Sequence, residues 1–216
     1  MLRAGLPKGR LLPRSKAAVA AFHDNTRESL HHRFLRMPDL PGLVAEGLLD
    51  VAIAGEEWLV DSGADVVRIA PLCWYHVRIC ALCRADSVPP AHTAAPVRVV
   101  SEYAHIAGDF ARERWGDGFT QRTVRGSVEY YLPDLAVECV ETGESMRRRG
   151  LVAMETLFEA DVWLICSRAA AADSGTLPLL KNWATVIAAP APQGGPAHRQ
   201  VAIPAGAQPP VHDARS

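Results

Sequence analysis

Short apolar runs alternate with amphipathic stretches along most of this chain, and that alternation restricts its fold more than any other feature. LRAGLP (Leu2–Pro7), DVAIAG (Asp50–Gly55), ADVVRIAPL (Ala64–Leu72), YHVRICALC (Tyr75–Cys83), APVRVVSEY (Ala95–Tyr103), FTQRTV (Phe119–Val124), LAVECV (Leu135–Val140) and ADVWLIC (Ala160–Cys166) have the length and branched residues of strands. RFLRM (Arg33–Met37) is a shorter extended piece. Helical patterns lie between: Leu11–Phe22, a segment opening after Asp39, Glu56–Gly63, Glu102–Arg114, Ser145–Glu159 and Leu177–Ala189. Strands interleaved with helices are joined by crossovers, and crossovers make parallel sheets. An α/β fold with mostly parallel sheets is therefore expected.

A Pro-rich link at Val88–Pro96 lies near the middle, with a candidate phosphate turn on either side, at Pro7–Arg10 and Thr142–Ser145. Two lobes with a cleft between them fit that layout: lobe one at about 1–85 plus 165–189, lobe two at about 86–164. From Pro190 onward Pro, Gly, Ala, Gln and His follow without periodicity, and 190–216 is expected to be a disordered tail.

With 216 residues, 49% hydrophobic and 22% charged, the chain can bury a real core. A net charge of −1 gives no basis for nucleic-acid or acidic-membrane partners. No apolar run approaches the ~20 residues of a membrane helix. Arg3, Lys8 and Arg10 interrupt the N-terminus where a signal peptide would be apolar, so a cytoplasmic location is the default. The five cysteines include one C-x-x-C, Cys80 and Cys83, with no second pair at zinc spacing. They read as buried, reduced thiols, and no protein-held metal site is expected.

Two turns carry chemistry. In AVECVETGES a strand feeds Thr142-Gly143 and then a helix start, which presents free backbone N–H groups to an anion. Such a turn alone is as readily a plain β–α connection. Asp134 and Glu138, four apart on the preceding strand, favour a ribose phosphate, because carboxylates accept from sugar hydroxyls while the turn holds the phosphate. Glu144 puts a negative side chain in that turn and must point away. In LPKGR, Lys8 and Arg10 flank Gly9 and can clamp a diphosphate. Taken alone, this stretch is better read as a solvated turn.

Taken in order, these segments resemble the catalytic region of ATP phosphoribosyltransferase over roughly Leu2–Ser167. The family's Leu-Pro-Lys-Gly-Arg-Leu stands intact at Leu6–Leu11, and its Gly-Ser-Val-Glu at Gly126–Glu129. Its Arg-x-x-Asp-Ile-Pro pattern and the following Asp-led strand and Gly turn match Arg36, Asp39-Leu40-Pro41, Val44, Gly47, Asp50 and Gly55-Glu56. Its Cys-Arg-Leu strand keeps Arg78, and its ribose-phosphate motif matches Glu138, Thr142–Met146 and Arg149–Leu151. Departures are Glu138 for Asp, Ser145-Met146 for Thr-Leu, Arg149 for Asn, and Trp74-Tyr75 where the family has Phe-Gly.

The resemblance implies a two-lobed fold like periplasmic binding proteins, with phosphoribosyl diphosphate (PRPP) and Mg²⁺ in the cleft. It implies transfer of phosphoribose to a ring nitrogen of ATP, or of another heterocycle, with release of diphosphate. Lys8, Arg10 and Glu138 would act at the reacting sugar and diphosphate. Gly9, Arg36, Gly55, Glu56, Arg78, Glu129, Asp134, Glu141, Thr142, Gly143, Glu144 and Ser145 would line the substrate site. The chain's length resembles the short form of the family, which points to a homo-oligomer and a separate regulatory partner chain. The alternative is a divergent member with a different reaction, or a non-catalytic binding or regulatory subunit.

Overall fold

The computed structural model describes residues 1–84, 95–131, 133–141, 143, 144, 148 and 150–188. The expected tail at 190–216 lies outside these residues.

β1 (Leu2–Pro7) and β3 (Val51–Gly55) are apolar and almost wholly buried, as strands covered on both faces must be. A 3₁₀ turn at Gly9–Leu11 leads into α1 (Leu12–Asn25), which carries Pro in its first turn, where no N–H bond is lost. β2 (Leu30–Leu35), α2 (Leu40–Ala45) and α3 (Glu56–Ser62) follow; α3 stops at Gly63, whose φ of 59° suits glycine. Next come β4 (Val67–Arg84), β5 (Val97–Ser101), α4 (Ala104–Trp115), β6 (Phe119–Thr123) and β7 (Leu135–Val140). β8 (Leu151–Cys166), α5 (Arg168–Ala172) and α6 (Thr176–Ile187) complete the described chain.

The strands form one mixed sheet in the order β2-β1-β3-β8-β4-β7-β5-β6. β1 pairs in parallel with β2 and β3, and β5 in parallel with β6 and β7. β4 and β8 run antiparallel to each other and join these two sets. Val67–Pro71 of β4 lies against the end of β8 that pairs with β3, whereas Arg78–Leu82 pairs with β7. The ribbon crosses between lobes where its register breaks, between Pro71 and His76.

Two expectations are corrected here. Ala64–Leu72 and Tyr75–Cys83 are not separate strands but one long β4 with that break inside it. The helix expected at Ser145–Glu159 is replaced from Leu151 by the strand β8.

Each lobe has its own packing. Phe22 of α1 and Trp183 of α6 meet edge to face at 5.2 Å over β1 and β3 in one cluster. Ile106, Ala107 and Ala111 of α4 cover Val77, Val99 and Val137 in another. Burying a side chain of Phe size contributes about 1.5–3 kcal/mol. Tyr75 packs against both clusters.

Candidate active site

The carboxyl ends of β1, β3, β5 and β7 face one another across the junction of the lobes, which is where open α/β sheets place ligands. Three contacts define this mouth. Arg10, after β1, donates from Nη1 to Glu141 Oε2 after β7 at 2.7 Å. Trp58 of α3 packs on Tyr103, with ring centroids 4.6 Å apart. Asp61 of α3 accepts from the N–H groups of Ala104, His105 and Ile106, capping α4 from the other lobe.

Lys8 has extended backbone, its N–H donates to Leu35 O at 2.9 Å, and its side chain is exposed. Among the described residues its ammonium has no ion-pair partner. Gly9 has φ 76°, a left-handed turn that a side chain would strain, and it carries the chain from β1 into the 3₁₀ turn that aims Arg10.

Glu56 and Glu57 open α3, where carboxylates suit the helix dipole, and one position apart on a helix they diverge. Glu56 faces outward, bonded to Arg68 Nη1 and Trp163 Nε1. Glu57 faces inward and is 3% exposed. Tyr75 donates its hydroxyl to Glu57 Oε1 at 2.6 Å, while Oε2 is buried with no partner among the described residues. Burial pushes the Glu57 carboxyl above its ordinary value, against the Tyr75 hydrogen bond and the Arg10 charge. Burial and the Glu57 charge also push the Tyr75 phenol far upward. The Cys139 thiol is pushed up to about 12, mainly by burial, so it is not a nucleophile at neutral pH. Gly55 leaves room for this group, since a Cβ there would collide with Tyr75 Oη and Glu57 Oε1. Over the Tyr75 ring sits the Arg10 guanidinium, 4.9 Å from the centroid.

The second lobe supplies the other wall. Glu138 is half-buried on β7, opposite Cys80 of β4. Arg78 is exposed and lies beside Val140, the last residue of β7, so it stands at the mouth of the Glu141–Gly143 turn. Gly143 has φ 74°, and Glu144 is paired with Arg148, four residues on in the sequence. The Gly126 N–H bonds to the buried-side carboxylate Glu102, and Tyr130 N donates to Ser127 O at 3.1 Å, which closes the Gly-Ser-Val-Glu turn. Thr142, Ser145 and the Glu129 side chain lie outside the described residues.

Asp134 does not join this group. It precedes β7, at the far end of a strand whose six residues at about 3.3 Å each separate it from Glu141 by roughly 20 Å. There it clasps Arg98, with Nε to Oδ2 at 3.1 Å and Nη2 to Oδ1 at 2.9 Å, and this pairing holds its carboxyl below the usual range. Arg36 is exposed at the end of β2, and its carbonyl accepts from Asp39 N. Sequence reasoning gave no role to Glu57, Tyr75 or Asp61. The acid pair after Gly55 was a signal for Glu57, but which acid turns inward depends on the helix.

Among the described residues no group of three or more His, Cys, Asp or Glu is placed to hold a metal ion. No helix of the described residues is long and apolar enough to cross a membrane.

This is a two-lobed α/β protein whose interlobe mouth brings together cations, a glycine turn and carboxylates. The same fold occurs in one chain of the ATP phosphoribosyl transferase (HisG:HisZ) complex from Thermotoga maritima, at a TM-score of 0.76 and 19% identity, covering 87% of this chain and 98% of that one. The arginine-bound truncated ArgBP of T. maritima has a TM-score of 0.54 at 13% identity, over 84% of this chain and 93% of that one. Among curated relatives, ATP phosphoribosyltransferase of Chlorobium phaeobacteroides is 27% identical over 208 residues, 87% of this chain and 70% of that protein. The enzyme of Dictyoglomus turgidum is 27% identical over 181 residues, 76% and 86% of the respective chains. The ATP phosphoribosyltransferase family model matches residues 36–188, and the chain belongs to that family. It is a pentosyltransferase that moves phosphoribose from PRPP to ATP and releases diphosphate.

Proposed function

We propose that PRPP binds at the mouth between the lobes, with its diphosphate on Lys8 and Arg10 and its 5′-phosphate on the turn Glu141–Ser145. The observation that carries this reading is the Arg10–Glu141 ion pair at 2.7 Å. It joins two motifs that are 131 residues apart in sequence, at the facing carboxyl ends of β1 and β7. Gly9 and Gly143 let backbone N–H groups approach phosphate oxygens, while Arg78 adds charge beside the second turn. Glu138 is the carboxylate within reach of the ribose hydroxyls; Asp134, tied to Arg98, holds the start of β7.

In the reaction the anomeric C–O bond breaks as the ring nitrogen of the acceptor approaches. The charge of Lys8 and Arg10 counts most as diphosphate departs, so it stabilises the transition state more than bound PRPP. An aromatic ring nitrogen needs no general base. Mg²⁺ belongs to the PRPP substrate, neutralising its diphosphate oxygens. The acceptor nucleotide is ATP.

We place the lobe boundaries at the crossing of the β4–β8 ribbon, Leu72–Tyr75 and Asp161–Val162. That is earlier in β4 than the 85/86 boundary expected from the sequence, because Arg78–Leu82 pairs with β7. A homo-oligomer with a separate regulatory chain, acting in the cytoplasm, completes the reading.

Calorimetric titration of PRPP with Mg²⁺ into the full chain tests it. Micromolar affinity that falls more than tenfold in Lys8→Ala supports the site. Absence of heat at millimolar PRPP from folded protein would remove it.

A further inference from the structure

Arg10 is a long, half-exposed side chain on a turn, yet the reading above needs it in place before diphosphate leaves. Two contacts hold it. Glu141 takes one edge, through Nη1, and the Tyr75 ring takes the face. An arriving phosphate oxygen competes with Glu141, because both accept from the in-plane N–H groups. It does not compete with the ring, which leaves those groups free. Tyr75 is itself fixed. Its hydroxyl donates to the buried Glu57, its ring packs against the clusters of both lobes, and Gly55 has no side chain to displace it.

We propose that Tyr75, anchored by Glu57, is a positioning residue that holds the Arg10 guanidinium by its face for the diphosphate of PRPP. This rests on the reading that Arg10 receives diphosphate. Glu57 orients the phenol, the phenol orients the cation, and the cation meets the leaving group. A cation held in advance binds and stabilises without first being ordered, which is preorganisation at the point where negative charge accumulates.

The test is a double-mutant cycle on Tyr75 and Arg10, read by calorimetric binding of inorganic diphosphate with Mg²⁺ to the full chain. Tyr75→Leu is expected to weaken diphosphate about five- to twentyfold, the range of a partly desolvated cation–π contact. In the Arg10→Ala background the same change is expected to cost less than about twofold, since the ring then has no cation to hold. Tyr75→Phe restores the ring without its bond to Glu57 and is expected to recover part of the loss. Equal losses with and without Arg10, or no loss in Tyr75→Leu, would overturn the proposal. If Tyr75→Leu lacks a cooperative thermal transition, Tyr75→Met, which also removes the ring under Arg10, takes its place in the cycle. A loss there that vanishes without Arg10 supports the proposal, and a loss independent of Arg10 overturns it. Wild-type protein that binds neither PRPP nor diphosphate would instead sink the site assignment itself.

Discussion

Glu57 is a carboxylate carried into the lobe junction, with one oxygen satisfied by Tyr75 and the other buried without a partner among the described residues. Its folded pKa is raised, so between the unfolded and folded values the native state holds the extra proton. Stability from this group is thus greatest below about pH 4.5 and declines as pH rises through the raised value. Glu57→Gln should flatten that decline, so its urea stability relative to wild type improves as pH rises above the ordinary carboxylate range and levels off once Glu57 has ionised in the folded protein. A difference that does not change with pH would mean that the Glu57 pKa is not raised in the folded protein. Asp134 has the opposite sign. Its carboxyl is lowered by Arg98, so its contribution is present above the ordinary Asp value and is lost as pH falls through the folded one. Asp134→Asn should therefore lose stability at neutral pH but little in strong acid. Because Asp134 lies at the far end of β7, PRPP affinity should stay within about twofold, as titration calorimetry would show. The sequence could not separate these two acids by role. Four residues apart, Asp134 and Glu138 look equivalent until the start of β7 is known, and Tyr75 departs from the family pattern, which left its place in the cleft unassigned.

Elements repeat this division between what local pattern encodes and what neighbours decide. The Asp61 carboxylate of α3 caps α4, a bond between helices that no local capping pattern announces. Asp61→Ala should cost about 1–2 kcal/mol, the usual range for a lost cap, measured by urea unfolding. Asp61→Asn, which keeps an acceptor, should lose less. The α/β alternation, the parallel pairing and the turn after β1 were legible because short buried strands and Gly turns are contiguous signals. β8 was not. Register shifts between Ile79 and Cys80 and between Ala81 and Leu82 pass over Leu157 and Met154 on β8. Each extra residue delays the next inward position, so Met154, Leu157 and Phe158 acquire the spacing of a helix face while lying on a bulged strand. The division of β4 into two strands failed for a related reason. Pro71 and the left-handed Cys73, at φ 53°, look like a chain break, but they mark the point where a continuous strand passes from one lobe to the other.

At the scale of the whole molecule that crossing makes the lobes inseparable. The first lobe pairs β3 with the last residues of β8, and the second pairs β7 with the last residues of β4, so neither has a complete sheet without the shared ribbon. Tyr75 contributes to both cores, and the Arg10–Glu141, Trp58–Tyr103 and Asp61–α4 contacts add bonds across the junction. Unfolding one lobe would strip the ribbon of half its partners and expose the apolar face it gives to the other. The lobes should therefore unfold together. The free cysteines provide the probe: Cys166 lies in the first lobe's core, and Cys80 is buried in the second beside Val100 and Ala136. Pulsed thiol labelling across a urea series, read by mass spectrometry, should give the same midpoint at both sites and coincide with the far-UV circular dichroism transition. Separate midpoints would show that the ribbon does not couple the lobes. Saturating PRPP with Mg²⁺, bound across both turns as proposed, should move both midpoints upward by the same amount, because a ligand held by two lobes stabilises only the state in which both are folded.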